Sequence, residues 1–461
     1  MSINSTKPAV SGKHLHVIES EQETDSACPS NAIVAQIGRE IVFDPKAMDS
    51  LDESGCRPLH YDLLVLCAAI ELADRRWQRS QGWSRDLYLT VPVMEPHTWQ
   101  RTDVLKSLLA VLRHVTCDNW HFRFIQAKNP SPFGSRQLPI SFRNKSFVIA
   151  YSEGLDSRAV SAISDSKDQA LRIRVANTRQ SRKNGEDYFT QLPFKVKGYR
   201  ARESSFRSRA FQFAAVTAIA AHISNLKRII VPESGQGALG PVLLPIYRIP
   251  PDYRSHPVFF RKMEQFVNQA LGHEVHFEQP RLWSTKGETL RVFLDLPNRT
   301  KGDLVNTRSC WMTRSIVNIG GRRKQCGLCA ACLLRRLSLH TAGVDEPEDT
   351  YVVKDLSAPN LNQSLSEISR KSDRDIMVEY GSLGTLLLHQ LADMASLPDE
   401  ALRPHVWEIA EATDASFQDT LNNLRDFLNA HAEEWRTFIS AQGEQSFLNS
   451  WIDGGDYDRS K

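Results

Sequence analysis

The sequence predicts an α/β protein: a doubly wound parallel sheet, preceded by an α+β region and followed by a helical region. Three observations carry this expectation. Between residues 146 and 296, short apolar runs alternate with amphipathic helical spacing, the pattern of βα units in a parallel sheet. An acidic stretch at 345–349 (DEPED) marks a break, and beyond it apolar residues recur at helical spacing through Met377–Met394 and Phe417–Phe438. At 461 residues the chain is long enough for two to three domains.

Taken in order, residues 1–30 are polar and aperiodic and read as disordered. An N-terminal accessory domain is expected at 31–144. It holds a helix at Tyr61–Gln78, a strand at Asp86–Val93, a helix at Thr102–His114 and an aromatic strand at Trp120–Ile125. Trp77, Trp83, Trp99 and Trp120 in this region read as core. Residues Lys128–Arg143, rich in Pro, Ser and Arg, read as a linker. The central domain, 145–344, has strands at Ser146–Tyr151, Leu171–Ala176, Arg228–Pro232 and Glu274–Phe277. Its helices are expected at Ser157–Ser164, Ser205–Ser224, Pro257–Leu271 and Thr285–Leu296. A C-terminal helical domain fills 345–461.

Composition narrows the partners. With 41% hydrophobic and 24% charged residues and a net charge of +3, the chain is neither a membrane protein nor a wholesale nucleic-acid binder. The first residues, MSINSTKPAVSGKHLH, contain no apolar core of a signal peptide. The longest apolar stretch, Ala210–Ala221, is broken by Gln212 and Thr217 and is too short to span a bilayer. A cytoplasmic protein is therefore expected. Charge is uneven, however: Arg172–Arg228 carries 13 Lys and Arg against three acids, a net +10. Such a field suits phosphates or RNA, and equally a solvated basic face.

One turn is suited to a phosphate group. After the apolar run Phe147–Ala150 comes Tyr151-Ser152-Glu153-Gly154-Leu155-Asp156-Ser157, leading into a helix. Gly154 is expected to allow unusual torsion angles, and the free N–H groups at the helix start favour an anion. Ser152 and Ser157 can add hydroxyl donors, and Asp156 can hold Mg²⁺ or orient the loop. On spacing alone an ordinary helix N-cap accounts for the same residues. Gly235-Gln236-Gly237-Ala238-Leu239-Gly240 fits the dinucleotide pattern G-x-G-x-x-G, but Pro241 and Pro245 are expected to prevent a helix there. It reads as a Gly-rich loop at the carboxyl edge of the sheet, from which Glu233 can reach a nucleotide or base.

Cysteine usage points to a metal. Cys310 is followed, after fifteen residues, by Cys326-Gly327-Leu328-Cys329-Ala330-Ala331-Cys332. Four thiolates at these spacings close a tetrahedral Zn²⁺ site, an iron–sulfur cluster being the rival. With four protein ligands the zinc would be structural. Gly327 suits the knuckle turn, and Arg322, Arg323, Arg335 and Arg336 are expected to offset the thiolate charge.

These motifs together resemble a known family. SEGLDS is similar to the SGGxDS PP-loop of ATP pyrophosphatases of the adenine nucleotide alpha hydrolase-like type, with Glu153 where that family has glycine. The segment Asp303–Arg335 looks like the zinc segment of QueC, the 7-cyano-7-deazaguanine synthase, and Lys286 and Glu288 match its Lys-x-Glu helix start. Phe206–Ile223 resembles the helix that follows its nucleotide site. The resemblance implies an ATP-dependent carbon–nitrogen ligase that adenylates a 7-carboxy-7-deazaguanine-type carboxylate and transfers it to nitrogen. It implies ATP held by Ser152, Gly154, Leu155, Asp156 and Ser157, with Lys286 and Asp156 catalytic, Mg²⁺ at the phosphates and Zn²⁺ on the four cysteines.

Two departures shape the reading. The family's tyrosine-proline-aspartate-cysteine-arginine stretch is replaced by Asp252–Leu271, where His256 is a substrate contact or, as is commoner for a lone His, a packed side chain. The synthase is also a smaller protein. The larger layout resembles QueC-like proteins of bacterial antiphage systems (QatC-type), which implies defence-operon partner proteins and a partner amine as acceptor. Glu153 keeps a catalytically degenerate scaffold as the alternative, because a carboxylate beside polyphosphate costs electrostatic energy. A PP-loop tRNA-modifying enzyme, motivated by the +10 segment, comes third; nucleic acid is the less favoured partner.

Overall fold

The structure, a computed structural model, describes residues 12–21, 30–49, 51, 56–129, 144–165, 167–177, 186–244, 246, 249–365 and 370–454. In chain order the main strands are β1 (Lys13–Ile18), β2 (Ile33–Gln36), β3 (Ile41–Phe43), β4 (Asp86–Val93), β5 (Asn119–Gln126), β6 (Phe147–Ala150), β7 (Ala170–Ala176), β8 (Thr190–Val196), β9 (Arg228–Ile230) and β10 (His276–Glu278). Six of them form a sheet in the order β10-β9-β6-β7-β8-β3, parallel except that β3 runs antiparallel to β8.

That sheet is covered on both faces, and the alternation of its side chains shows it. Val148, Leu171, Ile173 and Ile229 enter a core with Ala215, Ile219 and Phe266 of the helices Arg209–Ile223 and Pro257–Leu271. Their neighbours Phe147, Ile149, Ala170 and Ile230 turn the other way, onto Val160 of the helix Leu155–Ser164. From β6 the chain steps outward to β7 and β8, then crosses back to β9 and β10 on the other side. The carboxyl end of β6 is thus the switch point, where open α/β sheets place their ligands. The turn at 151–157 lies there.

Several expectations are corrected. Lys13–Ile18, read as disordered, is a strand inside a second sheet of order β2-β1-β4-β5; the rest of 1–11 and 22–29 lies outside the described residues. Leu15 and Val17 point inward, and the two histidines between and beside them hid that alternation. The linker expected at Lys128–Arg143 falls mostly outside the described residues. The second sheet is wholly parallel, so the N-terminal region is α/β in character, not α+β. β8 went unread because Pro193 and Lys195 interrupt its apolar signal.

Nor does the N-terminal region stand apart. Its β3 completes the larger sheet, and its helix Pro58–Arg76 shares one core with the Arg209–Ile223 helix. A buried polar knot fastens the two. Asp74 and Asp118 each meet Arg79 and Arg85 at 2.7–2.9 Å, and the second Asp74 oxygen accepts from Ser208 N at 2.9 Å. Removing one partner of a buried network strands the other charges. Asp74→Ala is expected to cost about 3–5 kcal/mol, read as a lowered urea midpoint for the whole chain. Independent unfolding of an N-terminal unit alone would contradict this. Trp99 and Trp120 are buried, as expected.

Across the break at 345 the chain packs back on the central region. Leu328, Leu333 and Leu337 of the cysteine segment share a core with Met377, Leu388, Trp435 and Phe438. Ala238 and Leu239 share another with Leu424, Phe427 and Leu428. The helices Lys371–Asp393, Asp399–Thr413 and Phe417–Gln442 therefore pack onto the central domain. Among the described residues no helix is long and apolar enough to cross a membrane.

Candidate active site and metal centre

The turn after β6 is held by its own hydroxyls. Ser157 Oγ accepts from Ser152 N at 2.7 Å and donates to Ala150 O at 3.3 Å, so this serine staples the loop and is not a free donor. The exposed Ser152 hydroxyl accepts from Gly154 N at 3.1 Å and can donate its hydrogen outward. Gly154 is the N-cap of the Leu155–Ser164 helix, at φ −74° and ψ 158°, an extended conformation open to any residue. The expectation of unusual torsion there is wrong. Leu155 buries its side chain in the core, leaving only its N–H to face a ligand.

The backbone of Glu153 is tied to the segment that precedes Cys310. Its carbonyl accepts from Arg308 N at 2.9 Å, and its charge acts on the Arg308 guanidinium. Burial and then Arg323 hold Arg308 below its ordinary value, while Cys310, Cys332 and Glu153 oppose them.

At the helix start, three strand ends converge on one polar cluster. Asp156, buried, pairs through Oδ2 with Lys286 Nζ and accepts through Oδ1 from Ser234 Oγ at 2.6 Å. Ser234 follows β9, and its Oγ stands 3.2 Å from Thr289 Oγ1, one turn along the Lys286–Leu294 helix. Glu233 lies beside them. Burial, followed by the Asp156 charge, pushes its carboxyl up to about 8, with Lys286 opposing. Burial lowers Lys286, but Asp156 and Glu233 overcome it, so the lysine ends above its ordinary value. One carboxyl is thus kept protonated at neutral pH beside a salt-bridged one, an arrangement typical of sites that handle charge or protons.

The Lys286–Leu294 helix starts with a capping box: Thr285 Oγ1 accepts from Glu288 N at 3.0 Å and Glu288 Oε2 accepts from Thr285 N at 2.7 Å. The Lys286 amide donates to Gln236 Oε1 at 2.7 Å. Contrary to the expected bar on helix formation, Gly235–Ala238 and Gly240–Leu243 are single helical turns; Pro241 sits in the first turn, where its missing N–H costs nothing. Gly287 lets the C-terminal region approach, since a Cβ there would lie 2.5 Å from Glu434 Oε1 and from Thr341 Cγ2. Gly287→Ala is expected to displace the Phe417–Gln442 helix and to raise its susceptibility to protease by about tenfold or more, equivalent to about 1.4 kcal/mol of local opening. An unchanged cleavage rate would refute this contact. His256 is buried and caps the Pro257–Leu271 helix, accepting from Val258 N at 3.4 Å; it is packed, as lone histidines usually are.

The four cysteines meet as their spacing requires. The sulfurs of Cys310, Cys326, Cys329 and Cys332 all lie within 4.8 Å of one another, Cys326 and Cys332 at 3.6 Å. Thiolates about 2.3 Å from a tetrahedral Zn²⁺ stand about 3.8 Å apart, so the residues fit one zinc ion; sulfurs holding a cluster stand farther apart. Cys326 N and Cys329 N point at sulfurs, each at 3.2 Å. Gly327, at φ +89°, makes the knuckle turn against Val353 O. The charge offset differs from expectation: Arg308 and Arg336 feel the thiolates, whereas Arg335 is buried on Thr307 Oγ1 at 2.5 Å and Glu346 at 2.8 Å, and Arg322 pairs with Asp349 at 3.4 Å.

Residues 247–343 match the family model for queuosine biosynthesis protein QueC. Over these residues the chain is similar to QueC. The match takes in Lys286, Glu288 and all four cysteines, and it stops short of the turn at 151–157. It spans well under half of the chain, and no curated protein matches the chain. The QueC-like segment thus contributes the lysine and the metal centre, and the preceding sheet contributes Asp156, Glu233 and Ser234.

Of the residues expected at the site, Asp156 and Lys286 are brought into contact, and Ser152, Gly154 and Leu155 stand at the same helix start. Ser234, Gln236, Thr289, His431 and Glu434 were missed. Ser234 was within reach of sequence reasoning, since it lies shortly after the end of β9 at the carboxyl edge of the sheet. His431 and Glu434 were not, because they come from a region read as a separate domain. Within the +10 segment, Arg172 and Arg174 are spent on Asp165 (2.5 Å) and Glu186 (2.9 Å), and Arg207 on the carbonyls of Pro250 and Pro251. Arg179, Arg182 and Lys183 lie outside the described residues.

Proposed function

We propose that this QueC-like chain is an ATP-dependent enzyme that adenylates a 7-carboxy-7-deazaguanine-type carboxylate and transfers it to a nitrogen nucleophile. The observation that carries the reading is the contact of Lys286, from the QueC-matched helix, with Asp156 of the turn at the sheet's switch point. In this reading the first-turn amides and Ser152 take the phosphate oxygens, as helix N-termini do. Lys286 neutralises the charge that develops when the α–β bond breaks. The substrate carboxylate attacks the α-phosphorus and pyrophosphate leaves with the bonding electrons. The amine then attacks the activated carbonyl, AMP leaves and the amine loses its proton. Asp156 offers a hard oxygen donor of the kind that suits Mg²⁺. The Arg308 guanidinium, on which the Glu153 charge acts, offers that carboxylate a cation other than the phosphate-bound metal.

The test is AMP and pyrophosphate release by the full-length, zinc-loaded chain from ATP, Mg²⁺ and 7-carboxy-7-deazaguanine, with ammonium as acceptor and Asp156→Ala as control. Release that depends on all components supports the reading. Absence of both turnover and ATP binding in a folded chain sinks it and leaves the scaffold. The wider part of the proposal, a role in an antiphage system with a partner protein's amine as acceptor, draws support from the resemblance in layout. Its test is a mass shift of one deazaguanine acyl group on a co-expressed operon partner.

A further inference from the structure

We infer that the C-terminal helix Phe417–Gln442 supplies two positioning residues, His431 and Glu434, which hold the Lys286 end of the neighbouring helix in register with Asp156. This rests on the reading of Lys286 given above, but the two are separately testable.

His431 acts through Gln236. The ring is buried, and its Nε2 stands 2.9 Å from Leu388 O, an acceptor only, so Nε2 carries the hydrogen. Nδ1 is then the acceptor, 3.4 Å from Gln236 Nε2. That contact orients the Gln236 amide with Oε1 toward Lys286 N, at 2.7 Å. A flipped amide would aim an NH₂ at an N–H, and a first-turn amide of the helix would lose its partner.

Glu434 acts through Thr285. Its Oε1 accepts from Thr285 Oγ1 at 2.6 Å, which fixes the hydroxyl hydrogen on the C-terminal side and frees a lone pair for Glu288 N. The N-cap immediately before Lys286 thus depends on a side chain about 150 residues away, at a sequence separation of 149.

The two residues are out of place by packing criteria. Their helix otherwise buries Leu424, Phe427, Leu428, Trp435 and Phe438, and a buried polar group costs stability unless fully satisfied. Glu434 is not: among the described residues its buried Oε2 has no partner. It borders a cavity of about 220 Å³ lined also by Glu288, Arg291, His340 and Glu433. Burial pushes Glu434 up to about 7; the Thr285 hydrogen bond and Arg291 lower it, while Glu288 and Glu433 raise it further. The cost of burying Glu434 is offset by the Thr285 hydroxyl it orients, and His431 is satisfied at both ring nitrogens by Leu388 O and Gln236.

The test uses the full-length, zinc-loaded chain with His431→Ala, Glu434→Ala and Glu434→Gln. Pyrophosphate release is followed from pH 5.5 to 8.5 with zinc content and melting temperature alongside. Since small misplacement of a reacting group costs up to about 100-fold, kcat is expected to fall by about tenfold or more in both alanine variants, with a smaller change in KM for ATP. Glu434→Gln, whose amide oxygen still accepts from Thr285, is expected to restore most of kcat and to remove an inflection near pH 7. Lower melting temperatures with unchanged kcat, or a Gln variant as poor as Ala, would overturn the inference. If the parent chain turns nothing over, acylation of the Lys286 amine at pH 9, mapped by mass spectrometry against exposed Lys106, decides. Faster Lys286 labelling in the alanine variants supports positioning, and an unchanged rate overturns it.

Discussion

Cys332→Ser is expected to abolish zinc binding and to unfold the region from Cys310 through the C-terminal helices. Structural zinc in small domains contributes on the order of 10–16 kcal/mol, as much as the whole stability of a typical domain, about 5–15 kcal/mol. Here the effect is not confined to a knuckle. Cys326, Cys329 and Cys332 are themselves fully buried and lie in one core with Val353, Met377, Trp435 and Phe438. Without the metal, thiols in that core lose their common ligand, and the helices that lean on Leu328 and Leu333 lose their platform. The check is elemental analysis, with one zinc per chain in the parent and none in the variant. Limited proteolysis should then cut 371–442 while β4 and β5 resist. A well-folded parent chain free of metal would refute the assignment.

Lys286→Ala is expected to lower ATP-dependent pyrophosphate release by about 10²–10³-fold, the usual loss when one preorganised charge is removed. It leaves Asp156 facing Glu233 with no cation between them. Unpairing a buried charge costs about 3–5 kcal/mol, so the zinc content and fold of the variant must be measured beside its rate. Glu233 supplies the companion measurement. Its pKa is raised from an ordinary 4.5 to about 8. Between those values the native chain holds a proton that the unfolded chain has lost, so stability falls as pH rises across that window. Glu233→Gln is expected to flatten the fall and to be more stable than the parent at pH 9, as read by denaturant midpoints at pH 5, 7 and 9. A parallel pH profile for parent and variant would remove Glu233 from the cluster.

Much of the central domain was legible because its signals are local. The Pro257–Leu271 helix has the bounds expected from Pro at its first position and Gly272 beyond its end, where the backbone turns left-handed at φ +64°. β4 was likewise read to the residue at Asp86–Val93. The four cysteines were found because metal geometry constrains their spacing directly. Where local chemistry serves two structures, the sequence does not choose between them. Ser157 has the residue type of a phosphate ligand and of a loop staple, and only its distances to Ser152 N and Ala150 O tell them apart. Pro241 reads as a breaker until its place in a first helical turn is known.

By itself, then, the sequence determined the parallel sheet, the turn after β6 and the thiolate quartet, because each depends on periodicity or spacing along the chain; Lys286 was marked only by its resemblance to the QueC helix start. Only the tertiary structure decided that Asp156 and Lys286, 130 residues apart in number, form one ion pair with Ser234 and Glu233 around it. It also decided that regions read as separate domains share cores and hydrogen bonds with that cluster. The physical reason is that burial and pairing are properties of neighbours in space. A helix carries its apolar stripe in its sequence, but whether His431 and Glu434 on that stripe meet solvent or the cap of another helix depends on where it packs.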